Sequence, residues 1–438
     1  MGFASRDRIQ DIIALFLVSD EDGLGANLAE IREMSDILED WAGISLKTQI
    51  DPDPETKTCG GKAVTPVTAG RCAWELMRTQ RFLRGVHGAI LDGLARRNVA
   101  GKDGPLEILY AGSGPFGTLV LPLLHYFSAR DVQVTLLDIH QVSVEAVEKV
   151  IAKLGVQDRI RAVDCVDILQ WTPPEPGHYD IIVSETMTRA LKGEAQVAIF
   201  AHLAPSLKPE GTLIPQEIRL DGWTEGPGDS RADRVPLGRL FTLNHQTALA
   251  IGRGEDAPLV VSLAAEGIPE THDVLGVSTE IQVWGQHVLR EGECSLTGFH
   301  RMKTGALKDC GLVKGRYVLG REPYLDIDYA DLLQRYVVEP AEPEDRSLLG
   351  VPGLMRQWSK IQLEKLGRLD RDLRIRESEG DWRRLSILNL DPVQSLSVLY
   401  SLARPSQLED LILKANGGAL TEDQLRALGV EEVASKAL

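Results

Sequence analysis

The sequence has few cysteines, a shortage of cationic side chains and no long apolar run. Five cysteines among 438 residues, none in a C-x-x-C pair, indicate neither a disulfide framework nor a zinc site. With 48 lysines and arginines against 64 aspartates and glutamates, the formal net charge of −16 opposes binding to nucleic acid or to an anionic membrane. We therefore expect a small or cationic partner, no nucleic acid and no bound metal.

The apolar stretch near the start lies within MGFASRDRIQDIIALFLVSDEDG and is interrupted by acidic residues. It is too short to cross a bilayer, and no small-residue cleavage site follows it. We expect a cytoplasmic protein with no membrane partner.

The chain is long enough for two or three domains, and its hydrophobic pattern changes along its length. Helical spacing followed by a Pro- and Gly-bearing stretch predicts a helical segment and a linker or lid over residues 1–68. Strands alternating with helices over 69–218 predict a doubly wound, Rossmann-like α/β domain with a mostly parallel sheet. Short alternating runs over 219–345 predict an antiparallel β-sandwich or barrel, and helical spacing returns over 346–438.

Within the α/β region, ligands are expected at the carboxyl ends of the strands. The predicted strands are LEILYAG, VQVTLLD, RIRAVDC, YDIIVSE and GTLIP. The predicted helices cover about 71–95, a segment from about Thr118, Val142–Leu154 and Val197–Leu207.

A glycine-rich segment, AGSGPFG, follows the first of these strands. Gly112, Gly114 and Gly117 would let the backbone approach a ligand, with amides of a helix N-terminus directed at it. Dinucleotide sites and plain tight turns share this pattern, so the motif alone does not identify the ligand.

Acidic residues end the next two strands. Asp138 follows Gly114 by 24 residues, where a carboxylate accepts both ribose hydroxyls, and Asp167 is placed to meet an adenine amino group. A simple helix cap is the alternative role for Asp138. Three strand ends in register favour a nucleoside site.

Two glutamates, Glu185 and Glu194, follow the fourth strand within SETMTRALKGEAQ. On a straight helix their spacing would turn about 900° and put them on opposite faces. To meet one ligand they need a hairpin-like loop, which Gly193 would help to bend. Two converging carboxylates suit a planar guanidinium. The alternative is that Glu185 ends the sheet and Glu194 is solvated at a helix start.

Residues 106–215 resemble the class I S-adenosylmethionine-dependent methyltransferases and, within them, the protein arginine methyltransferases. The resemblance rests on ILYAGSGPFG, LLDIH, VDCVD and LKPEGTLIP, and on Ser184, Glu185, Met187 and Glu194 at the family's spacing. Tyr110 replaces the family's acid before the glycine motif, and we expect it to support the loop.

The resemblance implies S-adenosylmethionine as cofactor. The residues carried over to its site are Arg78, Gly112, Ser113, Gly114, Asp138, Ile139, Val166, Asp167, Glu185 and Met187. Arg78 would bind the methionine carboxylate, with Thr79 beside it and Phe82 as an aromatic face. An exposed helix arginine and a core methionine at 187 are the alternatives.

By the same resemblance, Glu185 and Glu194 would be the catalytic residues and would orient a guanidinium for in-line attack on the sulfonium methyl. Removing the proton beforehand would cost roughly 7–9 kcal/mol, so we expect it to leave during or after transfer.

The family's Thr-His-Trp segment has no clear counterpart. Trp284 and His287 are the nearest candidates, but their order and spacing differ, and Trp284 also fits a structural role. This departure and the extra helical regions favour a small guanidino substrate, L-arginine above all. The chain is similar here to bacterial free L-arginine N-methyltransferases of natural-product biosynthesis, of the streptozotocin-pathway type.

Three alternatives stay open: a protein arginine methyltransferase, a small-molecule O-, C- or N-methyltransferase with a non-guanidine substrate, and a non-catalytic scaffold. Family resemblance also implies a homodimer, formed through an arm that would begin within residues 222–245. His140, His178 and His202 lack partners at metal-ligand spacing and are interpreted as structural.

Overall fold

The computed structural model describes residues 2–19, 27–47, 55–226, 233–272, 274–303 and 312–328. They fall within Met1–Ala330, the first of two compact units. The predicted helical region 346–438 therefore lies outside the described residues.

The α-helices are α1 Gly2–Val18, α2 Leu28–Ala42, α3 Pro66–Arg71, α4 Leu76–Val99, α5 Gln141–Leu154, α6 Gln196–Leu203 and α7 His245–Gly252. The first seven strands are β1 Thr56–Lys57, β2 Lys62–Ala63, β3 Leu106–Ala111, β4 Val132–Asp138, β5 Ile160–Cys165, β6 Tyr179–Ser184 and β7 Leu207–Ile214. The later strands are β8 Glu217–Glu225, β9 Val235–Asn244, β10 Val260–Ala264, β11 Val274–Trp284, β12 His287–Leu289, β13 His300–Lys303, β14 Leu312–Val318 and β15 Tyr324–Asp328.

Two amphipathic helices, α1 and α2, begin the chain and bury their apolar faces, as the periodicity predicts. Ile9, Ile13 and Phe16 of α1 are fully buried, as are Ile31 and Leu38 of α2. α1 contacts α4, and α2 contacts α5, so both cover the α/β region rather than standing apart from it. In the described residues no helix is both long and apolar enough to span a membrane.

A five-stranded parallel sheet forms the centre, with strand order β5-β4-β3-β6-β7. The predicted α/β class is therefore confirmed. The chain leaves β3 toward β4 on one side and later returns to β6 on the other. This reversal of strand order opens a crevice at the carboxyl edge of β3, which is the usual ligand position in such sheets.

The helix expected from about Thr118 is absent. The chain instead makes turns from Gly114 onward and then a six-residue 3-10 helix, Leu121–Tyr126. Pro122 would lie inside that helix, where its missing amide hydrogen and its ring disfavour a continuous α-helix. The anion-binding helix N-terminus expected after the glycine motif is therefore not formed.

The region beyond β7 is antiparallel, as predicted. One sheet has the order β12-β11-β8-β9, with β13 also paired to β11, and the other has the order β10-β14-β15. The rings of Phe241 in β9 and Tyr317 in β14 stack with centroids 4.6 Å apart, joining the two sheets. Within 222–245, where an arm is expected to begin, residues 222–225 belong to β8 and 235–244 to β9, and the two strands pair from Glu217↔Asn244 to Thr224↔Val235. The arm stays a prediction.

Candidate active site

A cavity opens at the carboxyl edge of the parallel sheet. The predicted residues that line it are Gly112, Gly114, Asp138, Ile139, Asp167, Glu185 and Glu194. The other lining residues are Thr58, Lys62, Ala63, Val64, Ala69, His140, Ile168, Leu169, Thr186, Ala195 and Ile199.

The glycine loop crosses the carboxyl end of β3 in a conformation that requires glycine. Gly112 has φ +77°, and a Cβ there would lie 2.4 Å from Cγ2 of Thr186. The amides of Gly112 and Ser113 donate to the Leu137 carbonyl at 2.8 and 3.0 Å. The loop is thus held by β4 and passes directly beside the segment that carries Glu185.

Asp138 is buried and fixes the same loop. Its Oδ2 accepts from the Gly114 amide at 2.8 Å, and its Oδ1 accepts from the His140 amide at 2.9 Å. His140 is the N-cap residue of α5, so Asp138 does not cap that helix directly. Each carboxylate oxygen still has a second lone-pair position for a ligand hydroxyl.

The end of β5 supplies the third strand end that the sequence predicts. Asp167 accepts from the Leu169 amide at 3.0 Å, and the Val166 amide donates to the Asp138 carbonyl at 2.8 Å. Val166 therefore contributes through its backbone, whereas Asp167 lines the cavity itself.

The segment between the two glutamates is a loop, not a straight helix. Gly193 has φ +84°, and Ala190 and Leu191 also adopt left-handed conformations, with φ of 56° and 53°. Non-glycine residues rarely adopt positive φ. The Ala190 amide donates to Thr279 Oγ1 at 3.0 Å, and the Tyr317 hydroxyl donates to the Leu191 carbonyl at 2.6 Å. Strands β11 and β14 thus hold this conformation.

Glu185 forms a buried ion pair with Arg78 of α4. The Arg78 Nη2 donates to Glu185 Oε2, and the side chains are 6% and 7% exposed. Burial raises the pKa of Glu185, and the guanidinium counteracts only part of that rise. Burial also disfavours the charged Arg78, but the neighbouring charges, that of Glu185 first, and the hydrogen bond to Glu185 together outweigh it and raise the pKa of Arg78. Oε1 of Glu185 is buried with no hydrogen-bond partner in the described structure.

Glu75 connects this pair to the antiparallel region. Its Oε2 accepts from Arg78 Nη1 at 3.0 Å and from the Ser295 hydroxyl at 2.8 Å, and its Oε1 accepts from the Ser295 amide at 2.8 Å. Ser295 begins a 3-10 turn after β12. The orientation of Arg78 therefore depends on a residue more than 200 positions away.

Glu194 has a different environment. It is 7% exposed, and burial followed by the charge of Glu185 raises its pKa to about 7, although Lys62 opposes the shift. Its backbone bridges to Lys62 of β2, and the Lys62 amide donates to the Gly193 carbonyl at 2.9 Å. The β1–β2 hairpin, predicted only as a linker or lid, therefore forms a wall of the cavity.

Other predicted residues lie beside the cavity rather than on its wall. Phe82 is fully buried, and Met187 is 3% exposed. The Thr79 hydroxyl donates to the Ala73 carbonyl at 3.4 Å, and Tyr110 is hydrogen-bonded to the backbone of Leu119. Tyr110 thus contacts the segment after the glycine loop, and its expected support of the loop itself stays a prediction.

The two substitutes considered for the Thr-His-Trp segment are not at the cavity. Trp284 packs on α4, where a Cβ at Gly88 would lie 2.6 Å from its ring. His287 is on β12, and burial lowers its pKa. The histidine at 202 bonds the Trp171 carbonyl at 2.8 Å, which fits its structural interpretation. His140, interpreted in the same way, also lines the cavity.

Several residues that shape the site do not stand out in the sequence. Gln196 is fully buried, and its side chain accepts from the Thr186 amide at 2.8 Å and donates to the Ser184 carbonyl at 3.3 Å. It therefore connects the two ends of the loop between Glu185 and Glu194. Its position two residues after Glu194 was the available signal. Glu75, three residues before Arg78 on one helical turn, could have been found in the same way.

No family model and no curated protein matches the chain, whereas solved structures do. A chain of the Trypanosoma brucei PRMT1 enzyme-prozyme heterotetrameric complex with AdoHcy is 15% identical, with a TM-score of 0.39 over 58% of this chain and 89% of that one. Arabidopsis thaliana protein arginine methyltransferase 10 is 10% identical, with a TM-score of 0.37 over 55% of this chain and 84% of that one.

Proposed function

We propose that the protein is an S-adenosylmethionine-dependent N-methyltransferase that methylates the guanidino nitrogen of a small molecule, L-arginine above all, in natural-product biosynthesis. The observation that carries the proposal is one cavity at the carboxyl edge of the sheet. It brings together the glycine loop, two strand-end acids and two glutamates nine residues apart in sequence. A cytoplasmic setting and a homodimer stay predictions from the sequence.

The residues at the nucleoside end fit the cofactor. Gly112 leaves open backbone where a side chain would collide with Thr186, and Asp138 and Asp167 both line the cavity with acceptor capacity remaining. S-adenosylmethionine would supply an electrophilic methyl group on a sulfonium. Arg78 does not itself line the cavity and is paired with Glu185 and Glu75, but it has further N–H donors with which it would meet a carboxylate.

The charge of the cavity supports a cationic substrate. Four carboxylates line it, from Asp138, Asp167, Glu185 and Glu194, against a single lysine among the described residues. A guanidinium offers five donors in a fixed plane, which suits two carboxylates that converge. Oε1 of Glu185 is buried with no hydrogen-bond partner in the described part of the chain, and it can accept one of those donors.

In the proposed reaction a guanidine nitrogen would attack the sulfonium methyl carbon in line, with the N–C bond forming as the C–S bond breaks and S-adenosylhomocysteine leaving. Glu185 and Glu194 would hold the guanidinium by its other nitrogens and draw positive charge away from the attacking one. The proton would leave during or after transfer, since early removal would cost roughly 7–9 kcal/mol. Most of the acceleration would come from alignment of the two reactants.

The test is mass spectrometry of L-arginine incubated with enzyme and S-adenosylmethionine, with a peptide containing an internal arginine in parallel. We expect a methylated product of L-arginine. Methylation of the peptide alone would make the protein an arginine methyltransferase of proteins, and binding of S-adenosylhomocysteine without any product would contradict catalysis of guanidine methylation.

Two variants test the roles of the glutamates. Glu185→Gln and Glu194→Gln should each abolish turnover while S-adenosylhomocysteine still binds in calorimetry, because both amides keep the size of the side chain and lose its charge. Full turnover in both variants would leave the non-guanidine methyltransferase as the better interpretation.

A further inference from the structure

Lys62 is the one lysine or arginine whose side chain lines the cavity in the described part of the chain. Its place beside Glu194 is fixed by the backbone. The Lys62 amide donates to the Gly193 carbonyl at 2.9 Å, and the two strand segments bridge at Lys62 and Glu194. Gly61 packs so closely that a Cβ there would lie 2.7 Å from the Ala195 amide nitrogen. The backbone therefore places Lys62 next to Glu194.

The ammonium of Lys62 pairs with Glu55, a carboxylate that a ligand could replace. Its Nζ lies 2.9 Å from Glu55 Oε1, and the two side chains are 38% and 44% exposed. Exposed ion pairs of this kind contribute little to stability, so another carboxylate can replace Glu55 at small cost. Arg78 differs, because its pair with Glu185 is buried and its loss would leave a charge without compensation.

A lysine beside Glu194 is unexpected if Glu194 binds a guanidinium, which is itself a cation. Like charges repel, so Lys62 alone would weaken the binding of a purely cationic guanidine. A substrate with a carboxylate at its other end turns that repulsion into an ion pair, while its guanidinium meets the glutamates. The carboxylates of the cavity, together with Lys62, match a guanidino acid better than a simple guanidine.

We propose that Lys62 is a specificity-determining residue that binds the carboxylate of a free guanidino acid. This inference rests on the proposed methylation of a guanidine. An arginine within a peptide chain has no such carboxylate, so Lys62 selects against protein substrates.

The experiment compares L-arginine with agmatine, which has the same guanidine and chain but no carboxylate. Steady-state kinetics are measured for the wild type, Lys62→Met, Lys62→Arg and Lys57→Met. The methionine keeps most of the apolar stem, and the arginine keeps the charge. Lys57 is the matched control, because it pairs with Lys62 across the hairpin, is exposed and does not line the cavity.

We expect Lys62→Met to raise KM for L-arginine by about 10- to 100-fold, the effect of one charge-assisted hydrogen bond, and to leave agmatine unchanged or better bound. Lys62→Arg should restore much of the preference, and Lys57→Met should not alter it. Glu55→Gln should lower KM for L-arginine modestly, since it removes the carboxylate that competes for Lys62.

An equal effect of Lys62→Met on both substrates would overturn the inference, since Lys62 would then act only on the charge state of Glu194 or on folding. Methylation would still be observed in that case, and the proposed function would stand. If neither guanidine is methylated although S-adenosylhomocysteine binds, both proposals fail.

Discussion

The two ends of the cavity are built in different ways. At the nucleoside end, Asp138 and Asp167 accept from backbone amides within their own or adjacent loops. At the acidic end, Glu185 is paired with a side chain 107 residues away, and the loop before Glu194 is held by Thr279 and Tyr317 of the antiparallel sheets. The nucleoside end is therefore held by contacts within the parallel-sheet region. The acidic end is held in addition by α4 and by the antiparallel sheets.

The two glutamates show the same contrast at the scale of single residues. Glu185 has a buried cation against it, whereas Glu194 is buried beside a second carboxylate and a half-buried lysine. Arg78 therefore offsets part of the burial cost of the charge on Glu185, whereas the neighbouring carboxylate adds to the burial cost of the charge on Glu194. If this comparison is right, the same substitution should have opposite effects on stability at the two positions.

The largest effect should come from Glu185→Gln. It leaves the Arg78 guanidinium buried with Glu75 as its remaining carboxylate, and loss of one partner of a buried pair typically costs about 3–5 kcal/mol. Urea unfolding at neutral pH would measure the change in the free energy of unfolding.

The double variant Arg78→Met/Glu185→Gln is the control for this effect. It should recover much of the lost stability, because neither charge is then left alone. If the double variant is as unstable as the sum of the two single variants, the pair does not couple these residues.

Glu194→Gln should stabilise the protein at high pH. Because burial raises the folded-state pKa of Glu194 from 4.5 to about 7, the folded state favours the protonated acid. Its stabilising contribution is complete below about pH 4.5 and is lost as the pH rises through 7. Above pH 7 the wild type should be less stable than Glu194→Gln by roughly 2–4 kcal/mol, with little difference at pH 4.5.

Unfolding free energies of both proteins at pH 4.5, 6, 7 and 8 would trace that difference. A constant gap across the range would mean that Glu194 does not titrate near neutrality. Lys57→Met, a charge change on the same hairpin away from the cavity, provides the baseline.

A third prediction concerns the pH dependence of turnover. A guanidinium needs the ionised form of Glu194, so kcat/KM for L-arginine should rise about tenfold between pH 6 and 8, as a single group with a pKa near 7 requires. In the pH profile of kcat the same rise should occur at lower pH, because the bound guanidinium stabilises the ionised form of Glu194 and lowers its pKa. If kcat and kcat/KM rise at the same pH, the substrate does not contact Glu194.

The residues at the nucleoside end could be predicted from the sequence more fully than the contacts at the acidic end. The glycine motif, Asp138 and Asp167 could be predicted because each follows a strand whose apolar run is evident, and parallel strands end at one edge. Pro122 is the sequence signal against the helix expected from Thr118.

At the acidic end, the spacing of Glu185 and Glu194 predicted a loop, and the structure has one. The sequence could not show that Arg78 would contact Glu185, that Ser295 would hold Glu75, or that a hairpin within the predicted linker would bring Lys62 to Glu194. These contacts join segments that are distant in the chain, and no local pattern encodes which of the many charged residues meet.

The smallest predicted effect tests whether the acidic end depends on the antiparallel sheets. Tyr317→Phe removes only the hydroxyl that donates to the Leu191 carbonyl and keeps the ring stacked on Phe241. One such hydrogen bond contributes about 1 kcal/mol, so kcat/KM for L-arginine should fall several-fold. Calorimetry should show unchanged affinity for S-adenosylhomocysteine, because the nucleoside end has its own local bonds. Tyr126→Phe, at a 40% exposed ring on the 3-10 helix, is the matched control. Equal losses of cofactor affinity and turnover in Tyr317→Phe would mean that the two ends are one cooperative unit, and the difference drawn between them would disappear.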